Sequence, residues 1–111
     1  MEKIINYFDN ETRLEGIFFP CEENENAPVV LVVPTYAGRD QFTLDKAKLI
    51  NTLGYSGFAV DMYGEAKIGE TPEENMELMN NILSDRQMLQ KRMLLAVEAA
   101  KAEAGVDNSK I

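Results

Sequence analysis

The amino-terminal part of the chain alternates. Ile5, Tyr7 and Asp9 fall on one side of an extended segment over residues 3–9, and Ile4, Asn6 and Phe8 on the other. Residues 12–19 alternate again, with Leu14, Gly16 and Phe18 opposite Glu15, Ile17 and Phe19. Asp9-Asn10-Glu11 between them has turn chemistry, so the pattern predicts an antiparallel hairpin. Pro20 closes it, because proline has no N–H to give a ladder. A polar, acidic loop over residues 21–28 follows. Then come five consecutive aliphatics, Val29-Val30-Leu31-Val32-Val33, ended by Pro34. A strand apolar on both faces predicts a central position in a covered, mostly parallel sheet.

Beyond the loop at residues 34–40 the period changes to helical. Ala47, Ile50 and Leu53 share a stripe in a predicted helix over residues 41–53, and Gly54 suits the left-handed position after it. Phe58, Ala59 and Val60 mark a second buried strand over residues 56–60, ending at Asp61. After a longer loop, Thr71-Pro72-Glu73-Glu74 has the composition of a capping box with proline at the first helical position. Ser84-Asp85-Arg86-Gln87 repeats the pattern. The expectation is therefore a short helix over residues 72–83 and a longer one over residues 85–103. Leu89, Met93, Ala96 and Ala100 form the stripe of the longer helix. Gly105 is expected to stop it, before a strand-like restart at Lys110-Ile111.

This order predicts an α/β fold. Two apolar strands flanking a helix imply a parallel pair with a right-handed crossover. An antiparallel hairpin leading into a parallel sheet, with helices on both faces, is how α/β-hydrolases begin. In open α/β sheets, sites lie beyond the carboxyl ends of the strands, where the strand order reverses. Here that place is residues 34–38.

Composition narrows the function. With 19 acidic and 11 basic residues, the net charge of −8 argues against nucleic acid or an anionic membrane as partner. No apolar run is long enough to span a bilayer, and no signal-peptide core is visible. The single cysteine cannot form an internal disulfide. Together these favour a cytoplasmic protein. There is no zinc spacing, Walker loop or dinucleotide fingerprint, so no metal or cofactor is implied. The chain has no histidine, the usual general base.

Several segments resemble the dienelactone hydrolase family. Val29-Val30-Leu31-Val32-Val33-Pro34-Thr35-Tyr36-Ala37-Gly38 resembles that family's segment after the third strand. Leu53-Gly54-Tyr55 followed by Ala59-Val60-Asp61-Met62-Tyr63-Gly64 resembles its L-G-Y … A-P-D-L-Y-G stretch. Gly105-Val106-Asp107-Asn108-Ser109-Lys110-Ile111 resembles the G-V-D-x-x-R-I run before its nucleophile strand. The resemblance spans nearly the whole chain in order. It implies one partial α/β-hydrolase domain over residues 1–111, cut before the nucleophile strand. The family's G-x-C-x-G elbow (sometimes with serine), aspartate and histidine would all lie beyond Ile111. The complete form would cleave a small-molecule ester or lactone. The family often carries a histidine–glutamate pair after the third strand. Pro34 and Thr35 stand there instead, which leaves a serine nucleophile or a different substrate open. By position, the resemblance implies that the Tyr36 backbone N–H is one oxyanion-hole donor. Such a donor is worth roughly 3 kcal/mol in a complete site. Thr35, Tyr36, Gly38 and Tyr63 are the expected pocket wall.

Plainer readings stand beside these. Cys21 sits among Glu22 and Glu23, which disfavour a thiolate, and reads as an ordinary loop thiol. Tyr36 and Tyr63 either line a pocket or cover the sheet end. Asp61 reads more readily as a loop organiser than as a ligand. Met76, Met79, Met88 and Met93 read as adaptable packing. Glu73, Glu74 and Glu77 suit the positive end of a helix dipole. The rival reading is a complete small α/β binding or assembly module, which would self-associate through the open edge of residues 29–33. A flavodoxin-like or receiver-like domain fits the alternation but not the leading hairpin.

Overall fold

In a computed structural model, which describes residues 2–103 and 109–111, the chain builds one four-stranded mixed sheet. Strands β1 (Lys3–Asp9) and β2 (Thr12–Phe19) form the expected hairpin, pairing from Lys3 with Phe18 to Asp9 with Thr12. Asn10 turns the chain at φ 55°, a conformation asparagine tolerates better than most residues. Strand β3 (Val29–Val32) pairs in parallel with β4 (Ser56–Ala59), as the two apolar runs predicted. Strand β4 also pairs antiparallel with β2, giving the order β1-β2-β4-β3.

That order leaves the outer side of the third strand open, as expected for residues 29–33 of this chain. The most aliphatic strand, β3, stands at the sheet edge among the described residues, and β4 is interior. All four β4 residues are buried. Val29 is buried, but Val30, Leu31 and Val32 are only half-buried and Val33 is 46% exposed beyond the strand. One neighbouring strand shields less of β3 than two shield of β4.

Helices cover both faces. Helix α1 (Gln41–Leu49) lies on one face, where Ala47 and Leu44 pack against Ile17, Phe19 and Ala59. Helix α3 (Arg86–Lys101) covers the other, setting Ala96 and Ala100 against Phe18, Val29, Phe58 and Val60. Leu89 and Met93 complete the predicted stripe. Phe18 and Phe58 meet edge to face at 6.3 Å, each contributing roughly 2–3 kcal/mol by burial. Small residues let the layers approach. A Cβ on Gly57 would lie 2.1 Å from the Ala47 carbonyl oxygen, so only glycine fits under α1 there.

The helix ends differ in detail from the sequence pattern. The expected helix over residues 41–53 stays α-helical only to Leu49 and tightens into a 3₁₀ turn, Ile50–Leu53. Leu53, expected on the core stripe, is 66% exposed at the end of that turn. Thr71 caps α2 (Pro72–Leu83), accepting from Glu74 N at 3.1 Å, but the Glu74 carboxylate reaches back to Glu70 N rather than to Thr71 N. Asp85, not Ser84, caps α3, accepting from Met88 N at 2.9 Å. Ser84 instead closes α2. The expected stop at Gly105 lies outside the described residues. Further on, Lys110 O accepts from Val29 N at 3.0 Å, placing Lys110 against the outer edge of β3.

Candidate active-site cleft

Two loops meet at the carboxyl ends of β3 and β4. The first, residues 34–40, opens with a turn in which Gly38 N donates to Thr35 O at 3.0 Å. Gly38 sits at φ 90°, and a Cβ there would lie 2.6 Å from Lys67 O, so the position requires glycine on both counts. The second loop begins at Asp61, which is 1% exposed. Its Oδ1 accepts from Tyr63 N (3.2 Å) and Gly64 N (3.0 Å), and its Oδ2 from Ala66 N (2.7 Å) and Glu15 N (3.1 Å). Asp61 is therefore a loop organiser that fastens residues 63–66 to β2. The loops are then joined directly, because the Tyr63 hydroxyl donates to Tyr36 O at 2.8 Å.

Between the loops and α2 lies a cleft of ≈ 220 Å³. Pro34, Thr35 and Tyr36 form one wall, Met62 and Tyr63 the floor, and Met79, Ile82 and Leu83 of α2 the opposite wall. Three of the four residues expected at a pocket, Thr35, Tyr36 and Tyr63, thus come together. Gly38 is buried behind the wall rather than lining it. The α2 side was missed, and only Met79, read as packing, hinted at it. None of these lining residues carries a charge, so the cleft suits an uncharged, largely apolar group. Burial raises the Tyr63 phenol above its ordinary pKa, keeping the hydroxyl a donor well into the alkaline range.

Three residues lining the cleft, Thr35, Tyr36 and Met62, have backbone N–H groups with no acceptor among the described residues. The cleft offers neither nucleophile nor base. Cys21 is buried at the other end of β4, where its N–H donates to Ser56 Oγ at 3.0 Å and its thiol approaches Asn51 O at 3.8 Å. One strand length, about 10 Å, separates it from the cleft. Among the described residues, no three cysteine, aspartate or glutamate side chains are grouped to hold a metal ion.

The profile of the dienelactone hydrolase family matches residues 15–111. The chain belongs to that family. A dienelactone hydrolase-like promiscuous phosphotriesterase from metagenomic libraries is 27% identical and superposes with a TM-score of 0.91 over 99% of this chain. The protein m3DLH is 22% identical with a TM-score of 0.90, also over 99% of the chain. The dienelactone hydrolase of Anabaena variabilis, 17% identical, superposes over 93% with a TM-score of 0.62. This chain spans 46%, 46% and 45% of those chains, just under half of each. No curated protein matches. The fold is that of the α/β-hydrolase-like relatives, and no catalytic triad lies within these residues. No described helix is long and apolar enough to cross a membrane.

Proposed function

We propose that this chain is the amino-terminal half of a dienelactone hydrolase-like enzyme that hydrolyses a small-molecule ester or lactone. Its Cys/Ser–His–Asp triad is contributed by residues beyond Ile111. Here Tyr36 supplies one backbone N–H of the oxyanion hole, with Thr35, Tyr36 and Tyr63 as pocket wall and Gly38 shaping the turn behind them. The observation that carries this reading is the unclaimed Tyr36 N–H at the rim of an apolar cleft, in the loop where α/β-hydrolases keep an oxyanion donor. The substrate is a small molecule rather than nucleic acid, in keeping with the net charge of −8. A buried, unpaired cysteine fits the cytoplasm.

The Val29–Lys110 bond supports the placement of the nucleophile strand. Parallel pairing in that register sets Ile111 beside Val29 and carries the following residues along β3 towards Thr35 and Tyr36. Where that strand is absent, Leu31 and Val33 leave ladder groups open, and the isolated chain self-associates along this edge. The phosphotriesterase relative adds phosphotriesters as a second substrate class to assay.

The test compares two proteins on a chromogenic ester. Residues 1–111 alone are expected to give no turnover. The product of the uninterrupted gene is expected to turn over, and Tyr36→Pro to cut its kcat by about 100-fold by deleting the N–H at a turn position that accepts proline. Turnover by residues 1–111, or a Tyr36→Pro enzyme with full kcat, contradicts the proposal.

A further inference from the structure

We infer that Tyr63 is the positioning residue of the candidate oxyanion donor, holding the Tyr36 main chain through its hydroxyl. The inference rests on the reading of residues 34–38 as half of an oxyanion hole, and deepens it.

The geometry follows from peptide planarity. The N–H of Tyr36 shares a rigid plane with the C=O of Thr35, and the two point in opposite directions. The turn bond from Gly38 N fixes Thr35 O inward, so the Tyr36 N–H is directed away from the turn. That bond controls only the peptide before Tyr36. The peptide after it would stay free to rock, and with it the Tyr36 φ and ψ. The Tyr63 hydroxyl, 2.8 Å from Tyr36 O, holds that second peptide. Both planes flanking the donor are then pinned before any ligand arrives, as electrostatic preorganisation requires.

Tyr63 is itself held. Its N–H is bonded to Asp61, whose carboxylate is saturated by backbone donors and anchored to β2 through Glu15 N. Its ring lies where a Gly38 side chain would stand, 3.2 Å from that Cβ position. The chain of restraint runs from the central sheet through Asp61 and Tyr63 to Tyr36, without a charged side chain in the cleft wall. The two loops carry the titratable side chains of Tyr36, Arg39, Asp40, Asp61, Glu65, Lys67 and Glu70, and burial is what raises the Tyr63 phenol. Met79, Ile82 and Leu83 of α2 add no titratable group.

The test is spectroscopic and needs no catalytic activity, so it succeeds or fails separately from the ester assay above. The chain of residues 1–111 carries Tyr36→Phe, so that the Tyr36 ring cannot titrate. Carbon-detected spectra then follow the carbonyl shift of residue 36 against pH. A single step is expected, coincident with ionisation of the Tyr63 phenol above pH ~10, because the phenolate can no longer donate. Adding Tyr63→Phe is expected to remove the step. It should also speed hydrogen exchange of the Gly38 amide by roughly threefold to tenfold at neutral pH, one hydrogen bond's worth. Exchange at Phe58, in the core, should not change. A carbonyl that shows no step in the Tyr63-containing chain, or a Gly38 amide unaffected by Tyr63→Phe, overturns the inference. Equal acceleration at Phe58 also overturns it, since that marks a general loss of stability. If Tyr63→Phe does not fold, the titration of the Tyr63-containing chain decides alone.

Discussion

Replacing Arg92 with methionine is expected to cost more stability than any other single side-chain truncation on α3. Arg92 and Asp9 have side chains only 8% exposed, with Arg92 Nε donating to Asp9 Oδ2 at 3.0 Å. Arg92 Nη1 also donates to Met62 O at 2.8 Å, so one guanidinium ties α3 to the hairpin end and to the loop below the cleft. Arg92→Met leaves a buried carboxylate served only by Lys91, at 2.6 Å and 47% exposed, and strands the Met62 carbonyl. Breaking a buried pair in this way costs about 3–5 kcal/mol, a large share of the ~5–15 kcal/mol that holds a domain together. Removing both charges in Asp9→Ala/Arg92→Met is expected to cost only about 2 kcal/mol, because no uncompensated charge remains. The chain has no tryptophan, so urea titrations followed by far-UV circular dichroism are the assay. Lys91 and then Arg92 hold the Asp9 carboxyl below its usual pKa. The pair's contribution is thus present above the ordinary carboxylate value near ~3.9 and is lost as pH falls through the lowered one. Asp9→Asn should flatten that acid limb. An Arg92→Met cost under about 1 kcal/mol, or single costs that simply add to the double, would refute the reasoning.

Three further outcomes are expected. Gly57→Ala should destabilise by about 3 kcal/mol or more, since its Cβ meets the α1 backbone at Ala47 O; a melting temperature within a few degrees of the parent contradicts the packing. Asp61→Asn turns an amide donor towards N–H groups that now share a carboxylate, and should cost about 3 kcal/mol, with residues 63–66 the first to lose protection from hydrogen exchange. Burial pushes the Tyr7 phenol up to about 12. Its neutral form favours the fold below the ordinary value near 10, and about 3 kcal/mol is lost as pH rises through 12. Tyr7→Phe should abolish that alkaline limb with little change at neutral pH, because the hydroxyl finds no well-formed partner among the described residues.

The periodic features were readable from the residues. The hairpin, the parallel pair and the alanine stripe of α3 each follow from a repeat that one local geometry satisfies. The open outer side of the third strand was readable too, but the depth of burial of each strand was not. Val29-Val30-Leu31-Val32 looks more deeply buried than Ser56-Gly57-Phe58-Ala59, yet the pairing order makes the second strand interior. Arg92 was hidden for a related reason: a cation on an amphipathic helix looks solvated until the hairpin end brings Asp9 to it. That Thr35, Tyr36 and Tyr63 lie around one cleft could be anticipated, because all three follow the carboxyl ends of strands. The Tyr63–Tyr36 bond and the α2 wall could not, since both depend on how the loop between Asp61 and Thr71 lies across the sheet.

The measurement that bears most directly on the central claim is the coding sequence downstream of codon 111. An open frame is expected there, continuing the strand beside β3 to a G-x-C/S-x-G elbow within about ten residues, with an aspartate and a histidine further on. A stop at that point, with no such frame following, would contradict the claim.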